Sequence, residues 1–498
     1  MSYPPTRGEA VRFAMRARLI TALIFGMVLG GGPASEAATF RVPADYHTIQ
    51  GAIDAADGED TVLVSDGVWT GPGNYDLVVP GTTIVIASVH GPAVTIIDCA
   101  GADFLDHRAF DLGSGGLGAG RDNTFALRGF TIRNGVAAGG GGALVGDRWR
   151  LDIEYCIFES NRAVDGGAVS CDSCRVDIRT SRFRYNLAER GGGALYGVGG
   201  GVISGCRFDL NRAETGGALA DFRDLTFLDC VFQQNEARYG AALRPLPADS
   251  VSFAASGTTF SRNRGDAAVF IAYGAADLSH CTFAENDGGL ALTAAAPILT
   301  DCILADNAGK PVVCFDPMPG RTSDPFLSYC CVSDSGLDLP GCAVSFFTMP
   351  NNLIADPMFC YLTPDDYRLE AGSPCVGAAS DGGNMGAAPT GCSATDVGSD
   401  PDPPLAAAFR LDQNWPNPFN PSTAIGYTLP QSSHVRLVVY DVLGRVVRVL
   451  VDAHRPAGAH TAEWDGLTSS GAPAASGVYV YRFTAGPLSA SKKMLLLR

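Results

Sequence analysis

The sequence predicts an all-β protein: a parallel β-solenoid of stacked coils, followed by a small, separate β-sandwich. Three observations predict it. A Phe-x-x-Asn motif, followed in its early copies by a glycine pair, returns at nearly even intervals up to Asn307. Glycine is abundant (61 residues) and only 18% of the chain is charged, which suits tight turns between short strands. Beyond a Pro- and Asp-rich stretch, the pattern changes to longer alternating strands.

In chain order, residues 1–38 read as a secretory signal peptide. Arg12, Arg16 and Arg18 precede the apolar run "LITALIFGMVL", and small residues follow in "GGGPASEAA". Cleavage after Ala37 or Ala38 removes four arginines and two glutamates, taking the formal charge from -16 to -18. A chain this acidic repels nucleic acid and anionic membrane, so neither is expected as a partner. No later apolar run reaches spanning length, so the mature chain is expected to lack a transmembrane segment and to be secreted or displayed on the outer cell surface.

Residues 39–395 are predicted to form the solenoid. Ile49, Ala52, Ile53, Ala55 and Ala56 share one face of a short helix that caps its open end, and Val62 to Val64 begins the first coil. The motif copies are Phe158 to Asn161, Phe183 to Asn186, Phe208 to Asn211, Phe232 to Asn235, Phe260 to Asn263 and Phe283 to Asn286. Asn134 precedes them and Asn307 closes the series, with spacings of 27, 25, 25, 24, 28, 23 and 21 residues. Leucine-rich and helical repeats fit poorly, because neither L-x-x-L-x-L stretches nor a 3.6-residue period recur. One coil per repeat, made of short strands joined by bends, fits well. Cys156, Cys206, Cys230, Cys281 and Cys302 stand two residues before the Phe or Leu, which turns both side chains inward. The Asn falls at a bend, where its amide can bond its copies one coil away. The pairs Gly141-Gly142, Gly166-Gly167, Gly192-Gly193 and Gly216-Gly217 supply a positive φ or a close backbone approach. Between Arg244 and Val269 the glycines are lost and Pro245 and Pro247 intrude, which predicts a loop or an irregular coil.

Fifteen cysteines occur, none beyond Cys392. Those of the repeat read as small buried hydrophobes; Cys206/Cys230 and Cys281/Cys302 would lie close, but strand geometry disfavours oxidation. Cys171-Asp-Ser-Cys174 is a redox pair, a local bridge or, least of the three, a metal half-site, since no partner motif at zinc spacing accompanies it.

The alternation of GGA[LIV] with F-x-x-N resembles the repeat of chlamydial polymorphic outer-membrane proteins and the wider right-handed parallel β-helix family with its pectin-lyase-like fold. The resemblance covers roughly residues 40 to 390, including "VPADYHTIQGAIDAADGEDTVLVSDGVWTG" at one end and "DDYRLEAGSPCVGAASDGGNMGAAP" at the other, read as the last coils.

Residues 396–408 read as a linker and 409–498 as an Ig-like domain. "NWPNPFNPST", "VYDVLGRVVRVL", "AGAHTAEWDG", "SGVYVYRFTAG" and "KKMLLLR" resemble the C-terminal sorting domain of type IX secretion cargo, itself similar to the FlgD-like Ig-like domain of flagellar hook-capping proteins. That resemblance implies the secretion machinery as a partner and anchoring to surface glycolipid.

No catalytic, cofactor-binding or metal-binding residue is assigned from the sequence. Right-handed β-helices host polysaccharide lyases and hydrolases, yet fold alone does not establish such chemistry. The chain carries no Gly-His-Gly, no Arg-x-Lys and no Asn-x-Asp with a downstream Asp-Asp on the solenoid. Asp365-Asp366 reads as turn chemistry, and His280 as a structural residue on the strand beside Cys281. Asp103, Asp106, His107 and Arg108 read as a solvated loop. "GSGGLGAGRD" hints at a Ca²⁺-binding nonapeptide but occurs once, so no motif supports Ca²⁺. The expected function is a non-catalytic adhesion or glycan-contacting scaffold; the alternative is an extracellular polysaccharide lyase or glycoside hydrolase with divergent active-site residues. A site should lie in the variable positions of each repeat, such as Arg207, Asp209, Arg212 and Glu214.

Overall fold

A computed structural model describes residues 37–496, apart from 100–105, 115–122, 316–321, 334–338, 340, 343–348, 364, 393–409 and short turns of the C-terminal unit at 412–413, 415–418, 420–421, 430–432, 442–444, 456–457, 470–471 and 486–487. The segments expected to be a signal peptide, apart from its last two residues, and a linker lie outside the described residues.

The solenoid is right-handed with about 11 turns. Each full coil runs through three strands, as in Arg150–Glu154, Ile157–Glu159 and Val169–Asp172. Stacked copies make a first sheet of 12 strands, a second of 12 and a third of 10. The pairing is parallel and in register, so that Phe158, Phe183, Phe208, Phe232, Phe260 and Phe283 are consecutive partners. Apolar residues recur at the same inward position and form one continuous buried core.

Two bends turn the chain sharply on either side of the second-sheet strand. Tyr155 and Ser160 both adopt φ 56°, and their counterparts Thr180 and Tyr185 repeat the geometry. After Ser160 the Asn ladder begins. Asn186 Nδ2 donates to Phe158 O at 2.9 Å in the preceding coil and to Asn211 Oδ1 at 3.0 Å in the next. The same pattern continues from Asn161 to Asn307, and the amides from Asn161 to Asn286 are fully buried. Asn134 is not part of this ladder. Its strand, Thr131–Arg133, pairs so that Asn134 matches Ser160; Gly135 takes the ladder position and donates to Asn161 Oδ1 at 2.9 Å.

The glycine pair divides its labour. Gly216 has φ 58°, the left-handed region. Gly217 is needed for proximity, because a Cβ there would meet Ala241 O of the next coil at 2.2 Å.

Three expectations are corrected and one is met. The first sheet begins with Thr39–Val42, ahead of Val62 to Val64. The helix spans Ile49–Ala55 and buries Ile49, Ala52 and Ile53, but Ala55 faces solvent. The loop expected after Arg244 is present between the strands Leu243–Arg244 and Ser252–Ser256, and the coil keeps its register across it, with Leu225 paired to Phe253 and Phe232 to Phe260. The segment 356–391 is not a further coil. Beyond Leu353–Ile354 it turns back along the outer surface of the second sheet and packs Phe359, Tyr367, Leu369, Cys375, Ala379 and Met385 on Ala284, Ile303, Ala305 and Cys331.

Cys171 and Cys174 form a local disulfide; Cys314–Cys342 and Cys360–Cys392 are also bonded. The repeat cysteines are free and buried, each thiol donating to a backbone carbonyl, as Cys206 does to Ser204 O at 3.3 Å.

The C-terminal unit has an antiparallel sheet of Arg410–Leu411, Thr423–Leu429 and Gly458–Trp464, and another of Val446–Arg455, Ser433–Tyr440, Gly477–Ala485 and Leu488–Leu496. Its own core includes Trp464, Tyr427, Tyr481 and Phe483.

Candidate functional site

The residue after each ladder asparagine and the one two further on project outward, because the intervening Ala163, Ala188, Ala213 and Ala237 turn in and are buried. Stacking then converts a repeat position into a column. Arg212 and Glu214 from one coil, Glu236 and Arg238 from the next, Arg264 from a third and Asp287 from a fourth line an open groove of about 510 Å³. Arg212 approaches Glu236 at 3.4 Å, with both side chains at least half exposed, so this pair is weak and exchangeable. Asp287 accepts Gly265 N at 3.0 Å. The Arg238 guanidinium sits 5.0 Å over the Tyr239 ring, which meets Phe270 at 6.0 Å. Among the described residues, the side chains of Glu214 and Arg264 enter no hydrogen bond or ion pair.

Arg207 and Asp209 are elsewhere, on the outer surface of the second sheet. Arg182 and Arg207 hold opposite oxygens of Asp209 at 2.8 and 2.7 Å, and Arg207 also bonds Gln233. Burial pushes the Asp209 carboxyl up, against the pull of both guanidinium groups. These charges are spent on one another. Earlier on the same sheet, Arg184 pairs with Glu159 at 3.0 Å and Arg133 with Asp98 at 2.8 Å, beside a smaller groove of about 250 Å³.

Asp365-Asp366 does more than turn the chain. Asp365 bonds Gln233 and meets Arg262 at 2.8 Å, while buried Asp366 takes Arg368 Nε at 2.7 Å and Nη2 at 3.0 Å. Arg262 in turn meets Glu285 at 2.7 Å, and Glu285 accepts the Tyr367 hydroxyl at 2.8 Å. His280 stands at the left-handed bend (φ 50°), not on the strand, with Nε2 3.8 Å from both Asp301 and Asp381. His107 is half-buried, with Nδ1 2.6 Å from Asp76, and Arg108 donates to Gly140 O at 3.0 Å; Asp106 is exposed. Asp103 and most of "GSGGLGAGRD" lie outside the described residues. Among the described residues no group of three or more His, Cys, Asp or Glu is placed to hold a metal ion. No described helix is long and apolar enough to cross a membrane.

The sequence therefore located two of the six charged groove residues, Arg212 and Glu214. Glu236, Arg238, Arg264 and Asp287 were legible in principle, since each stands one or three residues after an aligned asparagine. What hid them was the mixture of charge signs at those positions.

In this groove fixed carboxylates and guanidinium groups, at the regular spacing of stacked strands, can exchange hydrogen bonds with a polyhydroxylated or charged chain.

Comparison with known proteins agrees with the two folds. The model for "Right handed beta helix region" matches residues 115–246, and that for "FlgD Ig-like domain" matches residues 420–487. Among solved structures, the chain is similar to tailspike protein 3 of bacteriophage CBA120, with 12% identity and a TM-score of 0.35. The match covers 63% of this chain and 60% of the tailspike chain. No curated protein matches.

Proposed function

We propose that this chain is an exported, β-helical surface protein whose solenoid holds a saccharide chain in the groove of Arg212, Glu214, Glu236, Arg238, Arg264 and Asp287 without cleaving it. The C-terminal Ig-like unit is, in this reading, the type IX sorting domain that delivers the protein through the secretion machinery and anchors it. The groove carries the first part. It crosses four coils, its Glu214 and Arg264 side chains keep their hydrogen-bonding capacity, and Arg238 and Tyr239 add a cation and an aromatic ring beside them. The second part is supported by the order of the C-terminal motifs from "NWPNPFNPST" to "KKMLLLR" and by the Ig-like match within the same segment.

The test is to incubate the protein of residues 38–498 with a panel of acidic and neutral polysaccharides, with and without Ca²⁺, and to read both binding and chain cleavage. Binding without product is expected. Paired Glu214→Ala and Arg264→Ala substitutions should weaken it at least about tenfold, roughly the loss of one charged hydrogen bond, with no change in Tm. Product formation abolished by chelation would overturn the reading in favour of a polysaccharide lyase. For the C-terminal unit, removing residues 409–498 should abolish surface display while the solenoid still folds.

A further inference from the structure

The segment 356–391 is laid on the second sheet and held there by side-chain contacts. Asp365 reaches Arg262 and Gln233, Tyr361 donates to Asp306 at 2.7 Å, and Ser380 places its N–H and hydroxyl 2.5 and 2.6 Å from the Asp301 carboxylate. Neither nearby disulfide joins this segment to a strand of the solenoid. Cys360–Cys392 closes it on itself, and Cys314–Cys342 lies upstream of it. Between segment and sheet, however, two free cysteines face each other. Cys331, on the second-sheet strand Cys331–Val332, and Cys375, on the segment, are both fully buried in one apolar cluster. Each side chain is the other's strongest electrostatic neighbour.

We infer that Cys331 and Cys375 are a cross-linking site: in an oxidising setting they form a fourth disulfide that ties the folded-back segment to the solenoid. The repeat cysteines are poorer candidates. They stand at equivalent places just before neighbouring parallel strands, where a bridge suits the geometry badly. Cys331 and Cys375 approach from two different elements and share one fully buried cluster.

The chemistry balances with a small-molecule disulfide as oxidant. The Cys375 thiolate attacks one sulfur of glutathione disulfide, breaking its S–S bond and releasing one glutathione thiolate. The Cys331 thiolate then attacks the mixed disulfide, forming the protein S–S bond and releasing the second glutathione; the two thiol protons end on the two glutathiones. Because both sulfurs are buried once the segment is seated, exchange takes place while it docks. An oxidising setting is where the export reading puts the chain, but the test below does not depend on that reading or on any ligand.

The protein of residues 38–498 is refolded with its segment in a glutathione redox buffer, denatured, alkylated and counted. Free thiols are expected to fall from nine, the number unbonded in this structure, to seven. Peptide mapping should show one new linked pair carrying Cys331 and Cys375, retained in Cys330→Ser. Cys375→Ser should hold eight free thiols with or without the oxidant, with unchanged circular dichroism. Limited proteolysis within 356–391 should slow at least threefold on oxidation. Nine thiols persisting under oxidant, or a linked peptide joining Cys302 to Cys330, would overturn the assignment.

Discussion

A single asparagine in this chain serves two coils. Asn211 accepts from Asn186 N at 3.1 Å and Nδ2 at 3.0 Å, and donates to Phe183 O at 2.9 Å and to Asn235 Oδ1 at 3.0 Å. Asn211→Ala removes all four and strands a buried N–H and amide, so a loss of about 3 kcal/mol is expected by chemical denaturation. Asn134→Ala, one position out of register, should cost under about 1 kcal/mol. The motif spacing separates the two, since Phe130 stands four residues before Asn134 and Phe208 three before Asn211, and the pairing of Thr131 with Ile157 agrees. A second residue-scale expectation concerns Asp366. The Arg368 hydrogen bonds hold its carboxyl below the ordinary 3.8. The folded state therefore keeps this carboxylate charged where the unfolded chain protonates it. Its contribution is present above pH 3.8 and disappears as pH falls through the depressed folded value. Asp366→Asn should destabilise by about 2 kcal/mol at neutral pH, with the gap to the parent closing on acidification. A gap independent of pH would show that the charge has no part in it.

At the scale of the element, the second-sheet strands are only three residues long and carry one inward side chain each, yet that side chain is phenylalanine in six consecutive coils. The rings stack with centroids 4.7 to 5.1 Å apart and interplanar angles of 1° to 11°. This spacing follows from the strand separation of the sheet, so in-register pairing imposes the aromatic stack. Phe208→Ala opens a void between two rings and is expected to cost about 4 kcal/mol in denaturant unfolding, and Phe208→Leu about 1–2 kcal/mol. The sequence made this element legible because its period of two inside a longer repeat admits one inward face. It misread the segment 356–391, whose short apolar runs look like one more coil. Its seat was decided by contacts with residues far off in the chain, such as Tyr367 with Glu285 and Asp365 with Gln233.

Across the whole solenoid, stability is a sum of nearly equivalent interfaces. Excising residues 212–235 removes one complete coil and leaves Asn211 to stack on Asn263 in register. The shortened protein should fold with an unchanged β-sheet spectrum and a denaturant m-value lower by roughly a tenth, in proportion to surface lost from about 11 turns. Failure to fold would mean that particular coils, and not their sum, hold the structure. The amino-acid sequence by itself determined the solenoid, its inward Phe and Cys columns, its Asn ladder and the separate β-sandwich, because each is a local period repeated often enough to admit one register. Tertiary structure alone decided which charged residues share a groove, which carboxylates are spent on arginines, where the last segment folds back, and that Cys331 and Cys375 share one buried cluster. Those contacts are fixed by stacking and folding back in space; the repeat spacing marks which positions face outward, but not which of them meet.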